Sequence, residues 1–231
     1  MPAEEAGADG APSRIGPYRV IGPLARGGMG LVLRGEHERT GEAAAIKIGR
    51  RATHPQSESI RREIHALGRL RHPGVVRILD HGVDAGRPWY AMEIIEGRSL
   101  REEMAGGEAT RVVAIVAALC EPLAAVHAAG VVHRDLKPEN VVVRPDGRPV
   151  LVDFGIAEGF GGATGREVLS QAGEATGTSF YVAPEQIRGE LTDARADLYA
   201  LGCVLYELLT GTRPFEGTSS VMVLGKQLRE E

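Results

Sequence analysis

The stretch HRDLKPEN, residues 133–140, concentrates polar chemistry between two apolar segments. A run with a helical apolar pattern stops before it at Gly130, and the apolar run VVV follows it. Asp135 and Asn140 lie five positions apart, with Lys137 between them, and Asp153 ends a strand-like run thirteen positions after Asn140. A solvated surface turn would not explain this spacing.

These residue types suit the handling of phosphoryl groups. A carboxylate such as Asp153 and an amide oxygen such as that of Asn140 are hard ligands suited to Mg²⁺. A second carboxylate, Asp135, can orient a hydroxyl group and accept its proton, and Lys137 can neutralise charge on a transferring phosphoryl group. Gly155 is expected to permit the sharp turn after the metal-binding acid.

A glycine-rich stretch, LARGGMGLV at residues 24–32, lies between two strand-like runs. Glycines let backbone amides approach phosphate oxygens closely, although a flexible hairpin turn has the same composition. Lys47 lies inside the strand-like run AAAIKI, after Ala43–Ile46, where a lysine more often faces solvent.

The predicted helix at 57–70 favours a buried partner for Lys47. At 100° per residue its apolar residues share one stripe, and Glu63 falls inside that stripe. A buried acid needs a cation or a shifted pKa, so the pattern predicts an ion pair between Lys47 and Glu63. The alternative is that Glu63 reaches solvent at an edge.

Composition indicates an ordinary globular chain. It has 231 residues, 43% apolar and 25% charged, and a net charge of −4, so no nucleic acid or anionic membrane is expected as a partner. The longest apolar run, 112–120, is too short to span a bilayer, and no secretory signal is visible. Cys120 and Cys203 lie in apolar patterns and are expected to be buried thiols in a reducing, cytoplasmic setting.

The chain divides into a β-rich part and an α-rich part. We expect a disordered tail at 1–17, a smaller lobe at 18–95 and a larger lobe at 96–231. Pro122 should kink or split the helix at 110–129, and Asp146-Gly147 should turn a hairpin. A second long apolar helix is predicted at 194–210.

Seven motifs in order give these segments a common interpretation. They are the glycine loop at 25–30, AIK at 45–47, Glu63, HRDLKPEN at 133–140, DFG at 153–155, GTSFYVAPE at 177–185 and DLYALG at 197–202. From Tyr18 onward the sequence resembles the eukaryotic-like serine/threonine protein kinases of bacteria. The resemblance implies an α+β, bilobal protein-kinase-like fold, with a small antiparallel sheet and one helix above a mainly helical lobe.

The resemblance also implies a role for each matching residue. Lys47, held by Glu63, would bind the α- and β-phosphates of ATP, Asp135 would receive the substrate hydroxyl, Lys137 would lie close to the γ-phosphate, and Asn140 and Asp153 would bind Mg²⁺, or Mn²⁺ in its place. The nucleotide would contact Leu24, Ala25, Arg26, Gly27, Gly28, Met29, Gly30, Val32, Ala45, Met92, Glu93, Ile95 and Val142. Leu67, Ile78, His133 and Phe154 would form an apolar column between the lobes. Asp197 would anchor the backbone at His133 and Arg134.

Regulation and substrate choice follow from the same resemblance. Arg134 is typical of kinases whose activation loop is ordered by phosphorylation, with Ser170 and Thr176 as expected phosphosites. Thr178 and Lys137 are the pair typical of enzymes acting on Ser or Thr in protein substrates.

Two departures from the family pattern stand out. Ala25 replaces the first loop glycine, which should affect nucleotide affinity only modestly. The larger lobe looks C-terminally incomplete, which would leave Glu185 without its arginine and the 194–210 helix partly uncovered. A fragment, a covering partner and low stability remain open, as do a catalytically silent nucleotide-binding module and a small-molecule kinase.

Overall fold

The β-rich part is one antiparallel sheet. The computed structural model describes residues 12–27, 30–49, 54–84, 86–155 and 179–229, and the side chains of 25–27, 30–31 and 54–60 fall outside that description. Its six strands are β1 Arg14–Ile15, β2 Tyr18–Gly27, β3 Gly30–His37, β4 Ala43–Ile48, β5 Ile78–Asp84 and β6 Arg87–Met92. They are ordered β1-β2-β3-β4-β6-β5.

The sheet begins earlier than the sequence predicted. Arg14 and Ile15 pair with β2, and the amide of Val20 donates to the carbonyl of Ser13 at 2.9 Å. Ile15 is 1% exposed and packs in a core with Trp89. The predicted disordered tail was therefore wrong for residues 14–17, because an apolar side chain there completes the core of the sheet.

One helix, α1 His54–Arg69, packs against the sheet. Ile64 and Leu67 are buried, whereas Arg61, His65 and Arg69 are exposed, as the period of the sequence predicted. This arrangement confirms the amphipathic helix, and it sets Glu63 at the boundary with the larger lobe.

The α-rich part contains six further helices among the described residues. They are α2 Leu100–Glu103, α3 Ala109–Ala118, α4 Cys120–Ala128, α5 Pro184–Arg188, α6 Ala194–Thr210 and α7 Ser220–Gln227, with 3₁₀ turns at Pro138–Asn140 and Ser179–Tyr181. Three short strands, β7 Arg98–Ser99, β8 Val141–Val143 and β9 Pro149–Leu151, form a second antiparallel sheet. The β8–β9 hairpin turns at Gly147, with φ 85°, as predicted.

The predicted break at Pro122 is present. α3 ends at Ala118 and α4 begins at Cys120, because proline in the first turn of α4 has no N–H with which to continue the helical ladder. An 18-residue window within 109–128 has a mean hydropathy of 1.8, enough by length and composition to cross a membrane. Here α3 packs against α6, and Val112, Leu119 and Val126 lie in the main core.

The two cysteines differ in exposure. Cys203 is buried in α6, where burial raises the pKa of its thiol to about 11. Cys120 is exposed at the junction of α3 and α4. The prediction of a buried thiol was wrong for Cys120, since the helix break turns that position outward.

The predicted uncovered face of α6 is present. Leu198, Tyr206 and Leu209 are 56%, 47% and 43% exposed. Glu185 in α5 is only half-buried, so water reaches its carboxylate and the large penalty expected for an unpaired buried charge does not apply.

Candidate active site

A buried carboxylate fixes the backbone of the loop at 133–140. Asp197, 1% exposed on α6, accepts hydrogen bonds from the amides of His133 and Arg134, both at 2.8 Å. His127 Nε2 lies 2.7 Å from the same carboxylate. The predicted anchor is confirmed, and His127 is a partner that the sequence analysis missed.

The charge states around this anchor follow from its contacts. Burial alone would raise the pKa of the Asp197 carboxyl, but the hydrogen bonds from His127 and the two amides lower it overall. His133 is fully buried, and desolvation lowers the pKa of its imidazole. Its Nε2 lies 3.1 Å from the carbonyl of Val152, which can only accept, so His133 is neutral with its proton on Nε2.

The loop gathers the three side chains that its spacing singled out. Lys137 Nζ lies 2.9 Å from Asp135 Oδ2, and Asn140 Nδ2 lies 2.6 Å from the same oxygen. Burial raises the pKa of the Asp135 carboxyl, and the charge of Lys137 opposes that rise. A raised pKa makes Asp135 a stronger base than an exposed aspartate.

Asp153 lies beside this cluster in a strained backbone conformation. Its φ is 57°, and its carbonyl lies 3.4 Å from Asn140 Nδ2. The sequence predicted that Gly155 would allow the sharp turn, but the residue with the left-handed backbone conformation is Asp153. Gly155 instead lies against the loop at 133–140, where its amide donates to the carbonyl of His133 at 3.1 Å.

The segment after Asp153 packs beneath the sheet. The Phe154 ring lies 4.5 Å from the His133 ring, and Leu67 and Ile78 belong to the same core, in agreement with the predicted column. Tyr90 Oη donates to the carbonyl of Phe154 at 3.2 Å. Tyr90 was missed because its place in a strand pattern marked it only as core.

The predicted pair between Lys47 and Glu63 is replaced by two other pairs. Lys47, 2% exposed on β4, lies 2.6 Å from Asp153 Oδ1. Glu63 accepts hydrogen bonds from Arg134 Nη1 at 2.9 Å to each of its oxygens. The pairing prediction was wrong because two cations and two acids meet at this point, and the period of α1 shows only that Glu63 needs a cation.

Several of the residues expected to contact adenine lie at the junction of the two parts. Ala45 on β4 pairs with Met92 on β6, and Val32 and Ile95 pack against the same core. Val142, half-buried, lies on β8 beneath. In the described chain, the carbonyl of Glu93 and the amide of Ile95 have no hydrogen-bond partner, so they can bind the edge of a base.

The glycine-rich stretch forms the hairpin between β2 and β3. Gly27 pairs with Gly30, and Ala25 with Val32, so the turn falls at the predicted glycines. Leu24 is 39% exposed near the end of β2. Gly28 and Met29, and the side chains of Ala25 and Arg26, lie outside the described residues.

A hydrogen-bond network around Arg101, which the sequence analysis missed, joins the loop at 133–140 to α2, α6 and the 3₁₀ turn at Ser179–Tyr181. Arg101 on α2 binds Glu139, donates to Glu207 Oε1 at 3.0 Å and donates to Tyr181 Oη at 2.7 Å. Tyr181 also donates to Glu207. The sequence did contain one indication of this network: Glu207 is an acid inside the apolar pattern of α6, and a buried acid needs a cation.

A second missed contact holds the 184–188 helix to the loop. Gln186 Nε2 donates to the carbonyl of Arg134 at 3.2 Å, and its Oε1 accepts from the amide of Ala183 at 3.0 Å. The predicted regulatory residues Ser170, Thr176 and Thr178 lie outside the described residues.

The donor set beside Asp135 fits a hard divalent cation. Asn140 directs its amide nitrogen at the carboxylate and carbonyl of Asp135, which leaves its Oδ1 available as a ligand. Asp153 lies beside it, with its backbone carbonyl 3.4 Å from Asn140 Nδ2, and its carboxylate, whose Oδ1 is 2.6 Å from Lys47 Nζ, is the second oxygen donor. Carboxylate and amide oxygens of this kind match Mg²⁺ or Mn²⁺.

Comparison with known proteins relates this site to a large family. The family model described as "Protein kinase domain" matches residues 18–230. The chain is 38% identical to a probable serine/threonine-protein kinase of Streptomyces coelicolor, over 95% of this chain and 34% of that protein. It is 40% identical to the serine/threonine-protein kinase pkn2 of Myxococcus xanthus, over 87% of this chain and 25% of that protein.

A third relative and a solved structure agree with these matches. The chain is 39% identical to the serine/threonine-protein kinase PknH of Mycobacterium tuberculosis H37Rv, over 94% of this chain and 35% of that protein. It therefore spans about a third or less of the length of these relatives. A point mutant of the Mycobacterium tuberculosis PknI kinase domain has a TM-score of 0.69 and 29% identity, covering 87% of this chain and 76% of that one.

Proposed function

Because the chain belongs to the protein kinase domain family, among its serine/threonine members, we propose that it transfers the γ-phosphoryl group of ATP to Ser and Thr hydroxyls of protein substrates, itself included. The observation that supports this activity best is the cluster around Asp135. A buried carboxylate with a raised pKa lies beside Lys137 and Asn140, on a loop that Asp197 fixes.

Each side chain of the cluster has a place in the reaction. Asn140 and Asp153 would hold Mg²⁺, which would supply positive charge for the phosphoryl oxygens of bound ATP. Asp135 orients the substrate hydroxyl and takes its proton, while Lys137 stabilises the charge that develops on the transferred group. Lys47 binds the nearer phosphates.

In this scheme, phosphorylation regulates the kinase activity by changing which cation binds Glu63. Arg134 binds Glu63 here, and a phosphate on Ser170 or Thr176 would compete for that guanidinium because a phosphoryl dianion binds arginine more strongly than a carboxylate does. Glu63 is then released to hold Lys47. The Ser170→Ala/Thr176→Ala double variant should phosphorylate substrate about tenfold more slowly, which is ~1.4 kcal/mol; an unchanged rate would refute this scheme.

Incubation with γ-labelled ATP, Mg²⁺ and Ser-, Thr- and Tyr-centred peptide libraries tests the proposed activity. We expect label in the Ser and Thr libraries but not in the Tyr library. Asp135→Asn should lower the rate by about 10²–10⁴, the range for removing a general base, while leaving nucleotide binding intact.

Two results would favour the other candidates. If both the parent protein and the Asp135→Asn variant bind nucleotide but neither transfers phosphate to a peptide, the chain is a regulatory nucleotide-binding module. Transfer to metabolites with none to peptides would indicate a small-molecule kinase.

A further inference from the structure

The sheet presents Lys47 and Tyr90 side by side to the segment at 153–155. The two residues are directly opposite each other on β4 and β6. Opposite residues of antiparallel strands have their side chains on the same face of the sheet, with Cβ atoms about 5 Å apart. Trp89 and Ala91, the neighbours of Tyr90 on β6, pack in the core on the other face. Tyr90 therefore points to the same side of the sheet as Lys47.

The two side chains reach consecutive residues of that segment. Lys47 Nζ lies 2.6 Å from Asp153 Oδ1, and Tyr90 Oη donates to the carbonyl of Phe154 at 3.2 Å. The contact of Lys47 joins two charged side chains, so another acid can replace Asp153. The contact of Tyr90 is to the backbone, so it does not depend on which acid Lys47 holds.

The hydroxyl group of Tyr90 lies where burial makes an unpaired oxygen costly. Tyr90 and Phe154 are each 1% exposed. A phenylalanine ring would fill nearly the same volume without a polar atom, whereas a buried hydroxyl group is unfavourable unless it is hydrogen-bonded. Because water is excluded, the hydrogen bond to the Phe154 carbonyl is stronger than an exposed one. The bond ties β6 to the segment that carries Asp153.

The turn at Asp153 is strained and is held from both lobes. Asp153 has a φ of 57°, in the left-handed region that residues other than glycine rarely adopt. On one side, the amides of Val152 and Gly155 donate to carbonyls of the loop at 133–140, at 2.9 and 3.1 Å. On the other side, Tyr90 supplies a hydrogen bond from the sheet.

We propose that Tyr90 is a positioning residue for the proposed kinase reaction. Its hydroxyl group keeps Asp153 beside Asn140 while Lys47 exchanges partners. A move of Lys47 to Glu63 would release the Asp153 carboxylate for a divalent cation, but it would also remove the charge contact between the sheet and the turn. The hydrogen bond from Tyr90 then still joins the sheet to the backbone of this segment. The effect on the reaction rate rests on the proposed function, whereas the effects on metal binding and on backbone opening do not.

Metal binding tests this role without turnover. Tyr90→Phe keeps the ring and removes only the hydroxyl group. Its complex with adenylyl imidodiphosphate, a non-hydrolysable ATP analogue, should bind Mn²⁺ about three- to tenfold more weakly than the parent complex, the loss expected for one hydrogen bond. Electron paramagnetic resonance of free Mn²⁺ measures this affinity. The affinity for the analogue without metal should be unchanged.

Tyr18→Phe is the matched control. Tyr18 is 3% exposed and lies in the core on the other face of the sheet, with Trp89. The variant removes a buried phenolic hydroxyl group from the same sheet without touching the segment at 153–155. We expect it to have the Mn²⁺ affinity of the parent, and a thermal melt checks that both variants fold.

Hydrogen exchange measures the backbone contact in the absence of metal and nucleotide. The Gly155 amide should exchange about three- to tenfold faster in Tyr90→Phe than in the parent, because the segment opens more often when it loses a contact. Tyr18→Phe should exchange this amide like the parent. In a kinase assay, Tyr90→Phe should need more Mg²⁺ for half of its maximal rate. Excess Mg²⁺ should restore kcat, with the KM for peptide unchanged.

Several results would overturn the proposal. They are Mn²⁺ affinity or Gly155 exchange in Tyr90→Phe that equals that of the parent, equal changes in the two variants, and a lower rate that excess Mg²⁺ does not restore. If the parent transfers no phosphate, the proposed function fails, and the Mn²⁺ and exchange measurements still decide the role of Tyr90.

Discussion

The lower half of the site, on the loop at 133–140, matches the arrangement that the sequence predicted, whereas the upper half does not. Lys137 and Asn140 both lie within hydrogen-bonding distance of the Asp135 carboxylate. Lys47 and Glu63 are each paired, but with Asp153 and Arg134 instead of with each other.

The difference lies in what holds each half. The loop is fixed through its backbone, because Asp197 binds two consecutive amides and Gln186 binds a carbonyl. Glu63 and Lys47 are paired through their side chains with Arg134 and Asp153, and two cations can exchange two acids between them because either pairing neutralises the same charges. Hydrogen bonds to the backbone fix the positions of the loop residues, whereas an ion pair requires only that the two side chains have opposite charge.

The largest effect is expected from removing the anchor of the lower half. Asp197→Ala leaves two buried amides without an acceptor and should lower the free energy of unfolding by about 3 kcal/mol, at about 1–3 kcal/mol for each lost partner. Urea unfolding measures the change. Asp193→Ala removes the exposed N-cap of the same helix and should lower the free energy of unfolding much less. Equal losses in the two variants would contradict the role of Asp197 as the backbone anchor.

Acid should weaken the same anchor. The pKa of Asp197 is lowered from its ordinary value of 3.8, so its ionised form favours the folded state. That contribution is present above the ordinary value and is lost as pH falls through the lowered one. The stability difference between the parent and Asp197→Asn should therefore be constant from neutral pH down to about 5 and shrink below pH 3.8. If the stability difference between the parent and Asp197→Asn increased as the pH fell, the predicted direction of the Asp197 pKa shift would be wrong.

A smaller effect is expected for the exchangeable pair of the upper half. The Arg134 and Glu63 side chains are 17% and 16% exposed, and a double-mutant cycle with Arg134→Gln and Glu63→Gln should give a coupling of about 1 kcal/mol. After phosphorylation of Ser170 or Thr176 the coupling should fall, while that between Lys47 and Glu63 rises. Coupling that phosphorylation leaves unchanged would show that Glu63 does not change partners.

Much of the fold could be predicted because local patterns determined it. The stripe of α1 predicted the burial of Ile64 and Leu67, and Pro122 predicted the break between α3 and α4. The lower half of the site was predictable because its residues are close in sequence and share one loop.

The remaining features depend on contacts between distant segments. His127 meets Asp197 across 70 positions, and Arg101 meets Glu207 across 106. Periodicity places such residues on a face but does not identify their partners. Ile15 was misassigned to the tail because one apolar residue beside a polar segment carries no pattern, although it fills the core of the sheet.

Arg101 connects four segments of the chain: α2, the loop at 133–140, the 3₁₀ turn at Ser179–Tyr181 and α6. Its guanidinium holds Glu139, four positions beyond Asp135, together with Tyr181 at the start of the segment leading to α5. A displacement of Tyr181 is therefore transmitted through Arg101 to the loop that carries Asp135. A substitution in the single helical turn of α2 would shift Asp135, although no atom of that turn needs to touch it.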